Sequence, residues 1–434
     1  MAKLEAFERP ELGEKSYRHR LESGLDVVVI PRPGFKKTFA TFATRYGSID
    51  NHFRVPGSDL EMKVPDGIAH FLEHKMFEKQ DGGDVFDDFA RLGASSNAYT
   101  DYTSTTFLFS TTSEVSANLE VLLDFVQRPY FTEDNVEKEK GIIEQEIRMY
   151  LDMPGDRLHS NLMRALYHYH PARIDIAGTV ESIRAITPDD LYRCHNTFYH
   201  PGNMLVLVIG DVDPQAVADQ VVHNQQNKQF LRQGDIVRIY PPEPEVVKER
   251  RVEQPMPVAA PLFMMGYKDH AAGMTGPAWL RHEIVLGLMW SMLLGRSSAL
   301  FTDLYQAGLI NDRFSARYSG TDTFGFSNLG GETPDPKRLE AVLTERLAQE
   351  PLTEEALERL KKREMGDFLG LFQNPEDLAY AFNHFYFRGI DLYSYVDVVA
   401  SVRLRDIEEA RARHLVEDSR ALSLIVPAQS APGA

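Results

Sequence analysis

An α+β protein built from two related α/β halves is what this sequence predicts, and three observations predict it. Strand-like apolar runs alternate with long helical patterns. A proline- and charge-rich stretch, Tyr240-Pro241-Pro242-Glu243-Pro244-Glu245, interrupts the chain near its middle and suits neither a helix interior nor a central strand. Beyond that stretch the order of elements recurs.

Residues 25–30 and 38–46 read as strands, and the spacing predicts a helix over 67–79. A second helix over 84–92 leads through Gly93-Ala94-Ser95-Ser96-Asn97 to a strand over 98–110. Helical patterns follow over 114–127 and 132–150. Thr132 and Asn135 with Glu133 and Asp134 make a helix start. Residues 204–210 are continuously apolar, as in a buried strand. The interruption places a domain boundary between 232 and 233, giving an N-terminal domain over 1–232 and a related C-terminal domain over 233–434. Val85-Phe86-Asp87-Asp88-Phe89-Ala90-Arg91-Leu92-Gly93 aligns with Leu300-Phe301-Thr302-Asp303-Leu304-Tyr305-Gln306-Ala307-Gly308, Phe131-Thr132-Glu133 with Leu352-Thr353-Glu354, and 204–208 with 422–425. Duplication explains the order, with convergent element order as the alternative.

Composition bounds the function. The 434 residues are 43% hydrophobic and 26% charged, too apolar for a disordered chain. A formal charge of −17 argues against nucleic acid and anionic membrane surfaces as partners. No stretch reaches the roughly eighteen apolar residues of a membrane span. The first twenty residues lack the apolar core of a signal peptide, so the cytoplasm is the expected compartment. The single cysteine, Cys194, excludes a disulfide framework or a multi-cysteine metal cluster and reads as a buried hydrophobe.

The strongest local signal is His70-Phe71-Leu72-Glu73-His74. Histidines four apart on a helix lie about 40° from one another around its axis, so both rings reach one point. Glu73 lies within about 60° of His70, near enough to act on a metal-bound water. Ile68, Leu72 and Met76 occupy the opposite side, which faces a core. Catalytic zinc takes three protein ligands and a water, so a third ligand must come from another element. Residues 136–150 carry four glutamates. Glu137 and Glu144 share a side with Lys140 and Arg148, a solvated face. Glu139 and Glu146 are seven apart, offset by about 20°, and fall amid Ile142, Ile143, Met149 and Tyr150. Two carboxylates on an apolar face are costly unless paired or metal-bound, so one of them is the expected third ligand.

This His-Phe-Leu-Glu-His order, with the distant Glu139 and Glu146, resembles the inverzincins of the pitrilysin–insulinase family of zinc peptidases, in its short bacterial, processing-peptidase-like branch. The resemblance implies zinc, one ion per chain, held by His70, His74 and Glu146, with Glu73 as general base and Glu139 supporting the ligands. Gly93-Ala94-Ser95-Ser96-Asn97-Ala98-Tyr99-Thr100 resembles the family's substrate-binding edge strand, which implies that Asn97 and Ala98 hold an extended peptide. The implied fold is two homologous α/β domains, each an internal duplication, facing each other across a chamber. Laying Phe86 on Phe301 carries His70, Glu73 and His74 to Val285, Leu288 and Met289, so the C-terminal domain is expected to lack a metal site.

The implied activity is that of a zinc metalloendopeptidase acting on peptides or unfolded polypeptides. Active members of the family commonly take an Arg and a Tyr from the C-terminal domain. The corresponding stretch here, Leu304-Tyr305-Gln306-Ala307-Gly308-Leu309-Ile310-Asn311, has Tyr where the Arg belongs and no Tyr at the expected place after it. The resemblance therefore implies a zinc-bearing subunit completed by a related zinc-less chain, with a homodimer as alternative; Arg313, Arg317 and Tyr318 are the nearest substitutes in this chain. The competing class is a non-catalytic peptide-binding or assembly subunit, which needs none of His70, Glu73, His74 and Glu146. His168 and His170 are two apart and do not converge on a helix. Phe263-Met264-Met265 reads as strand core, and Trp290 with Leu288, Leu293 and Leu294 as helix packing.

Overall fold

A computed structural model describes residues 2–226, 228–230, 234–270 and 273–428. Two compact units form: Met1–Ile147 with Asp175–Ile239 and Leu369–Phe387, and Arg148–Ile174 with Tyr240–Phe368 and Arg388–Ala434. The boundary expected between 232 and 233 lies outside the described residues. The units change over at Ile239 and Tyr240, and neither is a single stretch of chain, because each half contributes one segment to the other unit.

The first unit is organised by a seven-stranded sheet of β1 (Glu5–Arg9), β2 (Glu14–Arg20), β3 (Asp26–Pro31), β4 (Thr38–Thr44), β5 (Ser95–Thr100), β6 (Thr105–Thr111) and β7 (Met204–Gly210), in the order β1-β2-β3-β7-β4-β6-β5. The central strands β4 and β7 are buried throughout; β7 is an unbroken apolar run, whereas β4 intersperses Thr38, Thr41 and Thr44 among its apolar residues. Alternation divides their side chains between two faces. Ala40, Phe42, Val206 and Val208 enter the main core with Phe71, Leu72 and Ile143. On β4, Phe39 meets the Tyr380 ring and Thr41 accepts a hydrogen bond from Asn383, both from the Leu369–Phe387 segment. Instead of the single strand expected over 98–110, the chain forms the hairpin β5–β6. Asp101 turns it by accepting hydrogen bonds from the backbone N–H groups of Thr103 and Ser104 at 2.6 and 2.7 Å, an Asx turn.

The second unit has a five-stranded sheet of β8 (Arg251–Met256), β9 (Leu262–Lys268), β10 (Ser315–Gly320), β11 (Gly325–Glu332) and β12 (Arg420–Pro427), in the order β8-β12-β9-β11-β10. This matches β3-β7-β4-β6-β5 strand for strand, including one parallel pair followed by three antiparallel ones. The shared topology gives the recurring element order a structural basis. Phe263 and Met265 are buried in β9 and Trp290 in the helix Gly276–Leu294, as expected of core residues. Leu158, from the helix Pro154–Leu166, packs with Met256 and Ile425, and the helix sits close enough to β9 that a Cβ at Gly266 would meet the Leu162 side chain at 2.9 Å. One helix from each half thus covers the sheet of the other unit.

The proline-rich stretch is tied down rather than free. Glu243 accepts hydrogen bonds from the backbone N–H groups of His168, Tyr169 and His170 and from the buried Lys268. Beneath the same sheet lies a polar network. Asp269 accepts hydrogen bonds at 2.7 Å from His282 Nε2 and Tyr318 Oη, with His414 Nδ1 at 3.7 Å. Trp290 donates to Ser327 Oγ, which lies 2.7 Å from His414 Nε2. Among the described residues, no single helix is long and apolar enough to cross a membrane.

Candidate metal centre

The motif folds as the helix α1 (Ile68–Lys75). Gly67 opens it at φ +86°, where a Cβ would lie 2.4 Å from the carbonyl oxygen of Ala177. Only glycine combines that left-handed backbone with so close an approach. Ile68, Phe71 and Leu72 anchor α1 in the core of the first unit, and His70, Glu73 and His74 emerge beside α2 (Glu133–Asp152).

On α2, Val136, Ile143 and Ile147 form the buried apolar face, whereas Ile142 and Met149 are exposed at 47% and 46%. The helix turns Glu139 and Glu146 toward α1, and Glu144 pairs with Arg184 at 2.8 Å. Glu146 Oε1 lies 3.8 Å from His70 Nε2, and its Oε2 lies 3.7 Å from His74 Nε2. One ligand atom from each of His70, His74 and Glu146 falls within 4.8 Å of the others. Tetrahedral zinc with ligands at about 2.0–2.2 Å needs neighbouring donors roughly 3.3–3.6 Å apart, so this set, whose donors lie within 4.8 Å of one another, fits the ion after closing by about an ångström at its widest. Two imidazoles and a carboxylate also suit zinc chemically.

The neighbours orient these donors. Glu139 Oε1 lies 3.1 Å from His74 Nδ1; a carboxylate accepts, so Nδ1–H donates and Nε2 keeps its lone pair toward Glu146. Burial disfavours the Glu139 carboxylate, but the bond to His74 and the charge of Lys75 outweigh it and hold its pKa below the ordinary value. Burial, with His74 alongside, pushes His70 down, which leaves a neutral ring at neutral pH. Burial lifts the Glu73 carboxyl above the ordinary range, moderated by the hydrogen bond that Thr100 Oγ1 donates to its Oε2 at 2.6 Å.

Thr100 ends β5, an edge strand of the first sheet. Asn97 and Ala98 lie on that strand, with Asn97 exposed and its Oδ1 accepting from the Ala98 N–H at 2.9 Å. Val285, Leu288 and Met289, at the positions aligned with the motif, are buried apolar residues of Gly276–Leu294. Arg313 and Arg317 are exposed, and Tyr318 is engaged by Asp269. Cys194 is buried, and His170 is buried with its Nδ1 accepting from Ala172.

Two residues close to the motif carried no sequence-level signal of their own. Lys75 is fully buried, with Nζ against Glu78 and 3.6 Å from Glu139. Thr100 contacts Glu73 only because β5 runs beside α1.

Residues 56–180 match the family model described as Insulinase (Peptidase family M16), and residues 185–364 match Peptidase M16 inactive domain. The chain is 44% identical to an uncharacterized zinc protease of Bacillus subtilis (strain 168), YmfH, over 98% of this chain and 99% of that one. The chain belongs to the pitrilysin–insulinase family, M16. Another relative, zinc protease PqqE of Helicobacter pylori, is 28% identical over 83% of this chain and 80% of its own. Among solved structures, an M16-like peptidase from Alicyclobacillus acidocaldarius superposes with a TM-score of 0.92 at 39% identity, covering 97% of this chain and 100% of that one. Pitrilysin, at 14% identity, shares the M16 fold with a TM-score of 0.74 over 98% of this chain and 47% of its own.

Proposed function

We propose that this M16 chain is a zinc metalloendopeptidase whose ligands are His70, His74 and Glu146 and whose general base is Glu73. The observation that carries the reading is the convergence of those three donors beside a buried carboxylate held by Thr100. Zinc bound there supplies a Lewis acid for the scissile carbonyl and an acidified water. Glu73 takes the proton of the attacking water and delivers it to the leaving amine. Thr100 holds Oε2 and so fixes the plane of the base. Glu139 keeps His74 in the tautomer that presents Nε2. The edge strand at Asn97 and Ala98 holds the peptide extended by main-chain pairing, which favours peptides and unfolded polypeptides over folded proteins.

The absence of the family's Arg and Tyr from the 304–311 stretch supports a second element of the proposal. A related chain without zinc ligands, or a second copy of this one, supplies the groups that bind the substrate carbonyl and stabilise its oxyanion.

The test is Glu73→Gln, with zinc content measured beside peptide cleavage. Retained zinc with cleavage reduced by at least about a thousandfold is expected for loss of the base and its proton transfers. Cleavage unchanged by the substitution, or a chain that binds no zinc, would place this protein among non-catalytic peptide-binding members instead.

A further inference from the structure

Lys75 follows the last motif histidine, and its ammonium is entirely out of water, with no exposed side-chain surface. A helix packed on a core is served there by an apolar residue, and a buried cation persists only where its partners compensate it. Its partners are Glu78, in direct contact, and Glu139, whose Oε2 lies 3.6 Å away. The other oxygen of Glu139 faces His74 Nδ1 at 3.1 Å. The carboxylate is therefore gripped from both ends, by a cation on one oxygen and a ligand imidazole on the other.

This bears on a choice that helical phase leaves open. Glu139 and Glu146 stand two turns apart on one face of α2, and either carboxylate has the chemistry of a zinc ligand. Resting on the zinc reading above, we infer that Lys75 is a positioning residue that decides between them. By claiming Oε2 of Glu139 it withholds that carboxylate from the ion, aims Oε1 at His74 and leaves Glu146 as the carboxylate ligand. Removing the cation frees Glu139 to swing toward the metal and loosens the orientation of His74.

The experiment uses the full chain and three readouts: zinc affinity by chelator competition, the visible spectrum of the cobalt(II)-substituted protein, and thermal unfolding of the metal-free chain. Lys75→Met is expected to weaken zinc binding about tenfold or more, as loss of a group that orients a ligand does. Its cobalt bands should weaken and shift as Glu139 raises the coordination number. Lys75→Arg should restore both properties. In a folded Lys75→Met/Glu139→Gln double variant, affinity should fall no further than in the worse single one, since both act through the same carboxylate. Where Lys75→Met does not fold, Lys75→Gln, shorter and polar, carries the same comparison. A folded neutral variant with zinc affinity within twofold of the parent and an unchanged cobalt spectrum would overturn the inference. A parent chain that binds neither metal would overturn the zinc reading itself, a distinct outcome.

Discussion

Thr100 and Glu73, 27 positions apart in sequence, are joined by a 2.6 Å hydrogen bond from hydroxyl to carboxylate. The bond links the end of the proposed peptide-binding strand to the proposed general base. Thr100 Oγ1 also lies 3.3 Å from Thr105 Oγ1, which donates to the carbonyl oxygen of Tyr46. With both hydroxyl protons committed elsewhere, Thr100 itself orients the base.

Thr100→Val should lower kcat by about ten- to a hundredfold, since a hydrogen bond to a charged group contributes about 1.5–3 kcal/mol. Thr100→Ser should retain most of the rate, and zinc content should be unchanged in both. Equal losses in the Val and Ser variants would assign Thr100 to packing rather than to orientation of the base.

Glu146→Ala should lose zinc, and Glu144→Ala, which removes the partner of Arg184, should keep it. Metal analysis of the purified variants decides the matter. Zinc retained by Glu146→Ala and lost by Glu139→Ala would exchange the roles of the two glutamates.

Ala98→Pro should weaken peptide cleavage at least about tenfold with zinc intact, because proline removes the edge N–H that an extended substrate would use. Turnover equal to the parent in a folded variant would remove this strand from the substrate site.

Peptide hydrolysis by the purified chain should rise at least about tenfold on adding a related zinc-less chain from the same cell. Full activity in a monodisperse, isolated chain, abolished by Arg317→Ala, would assign the missing groups to this polypeptide.

Asp269 makes the second unit sensitive to acid. Its burial favours the neutral acid, but hydrogen bonds with His282 and His414 outweigh this and hold the carboxyl far below the ordinary range. A depressed pKa in the folded chain stabilises it above the unfolded value, about 3.9, and that contribution fades as pH falls through and below it. Asp269→Asn should therefore cost about 3 kcal/mol at pH 7, the scale of breaking a buried pair. The gap from the parent should narrow below about pH 4. Urea unfolding at pH 7, 5 and 3 measures it, and a gap that stays constant with pH would show that Asp269 acts without its charge.

Much of the site was legible because its spacing is local. Two histidines four apart on one helix, and two glutamates seven apart on another, share their faces by helical geometry alone. The structure brings His70, His74 and Glu146 together accordingly. The apolar flank of Glu139 and Glu146 was less legible. Phase placed Ile142 and Met149 beside them, yet both are exposed, since burial depends on what packs against α2 and not on its own periodicity. The Asp101 turn was readable in principle from Asp101, Thr103 and Ser104, but the apolar runs on either side obscured it.

By itself the sequence determined what repeats over a few residues: the helices and strands, the two helix faces that carry His70, His74 and Glu146, and an element order whose recurrence the matching sheets explain. Tertiary structure alone decided what joins distant positions. It buried Lys75 between Glu78 and Glu139, set Thr100 against Glu73, and sent one helix from each half to the other unit. The reason is physical. Helical and strand periodicity follow from backbone geometry within a few residues, whereas the partner of a buried charge is chosen by packing across the whole fold, where desolvation makes that partner obligatory.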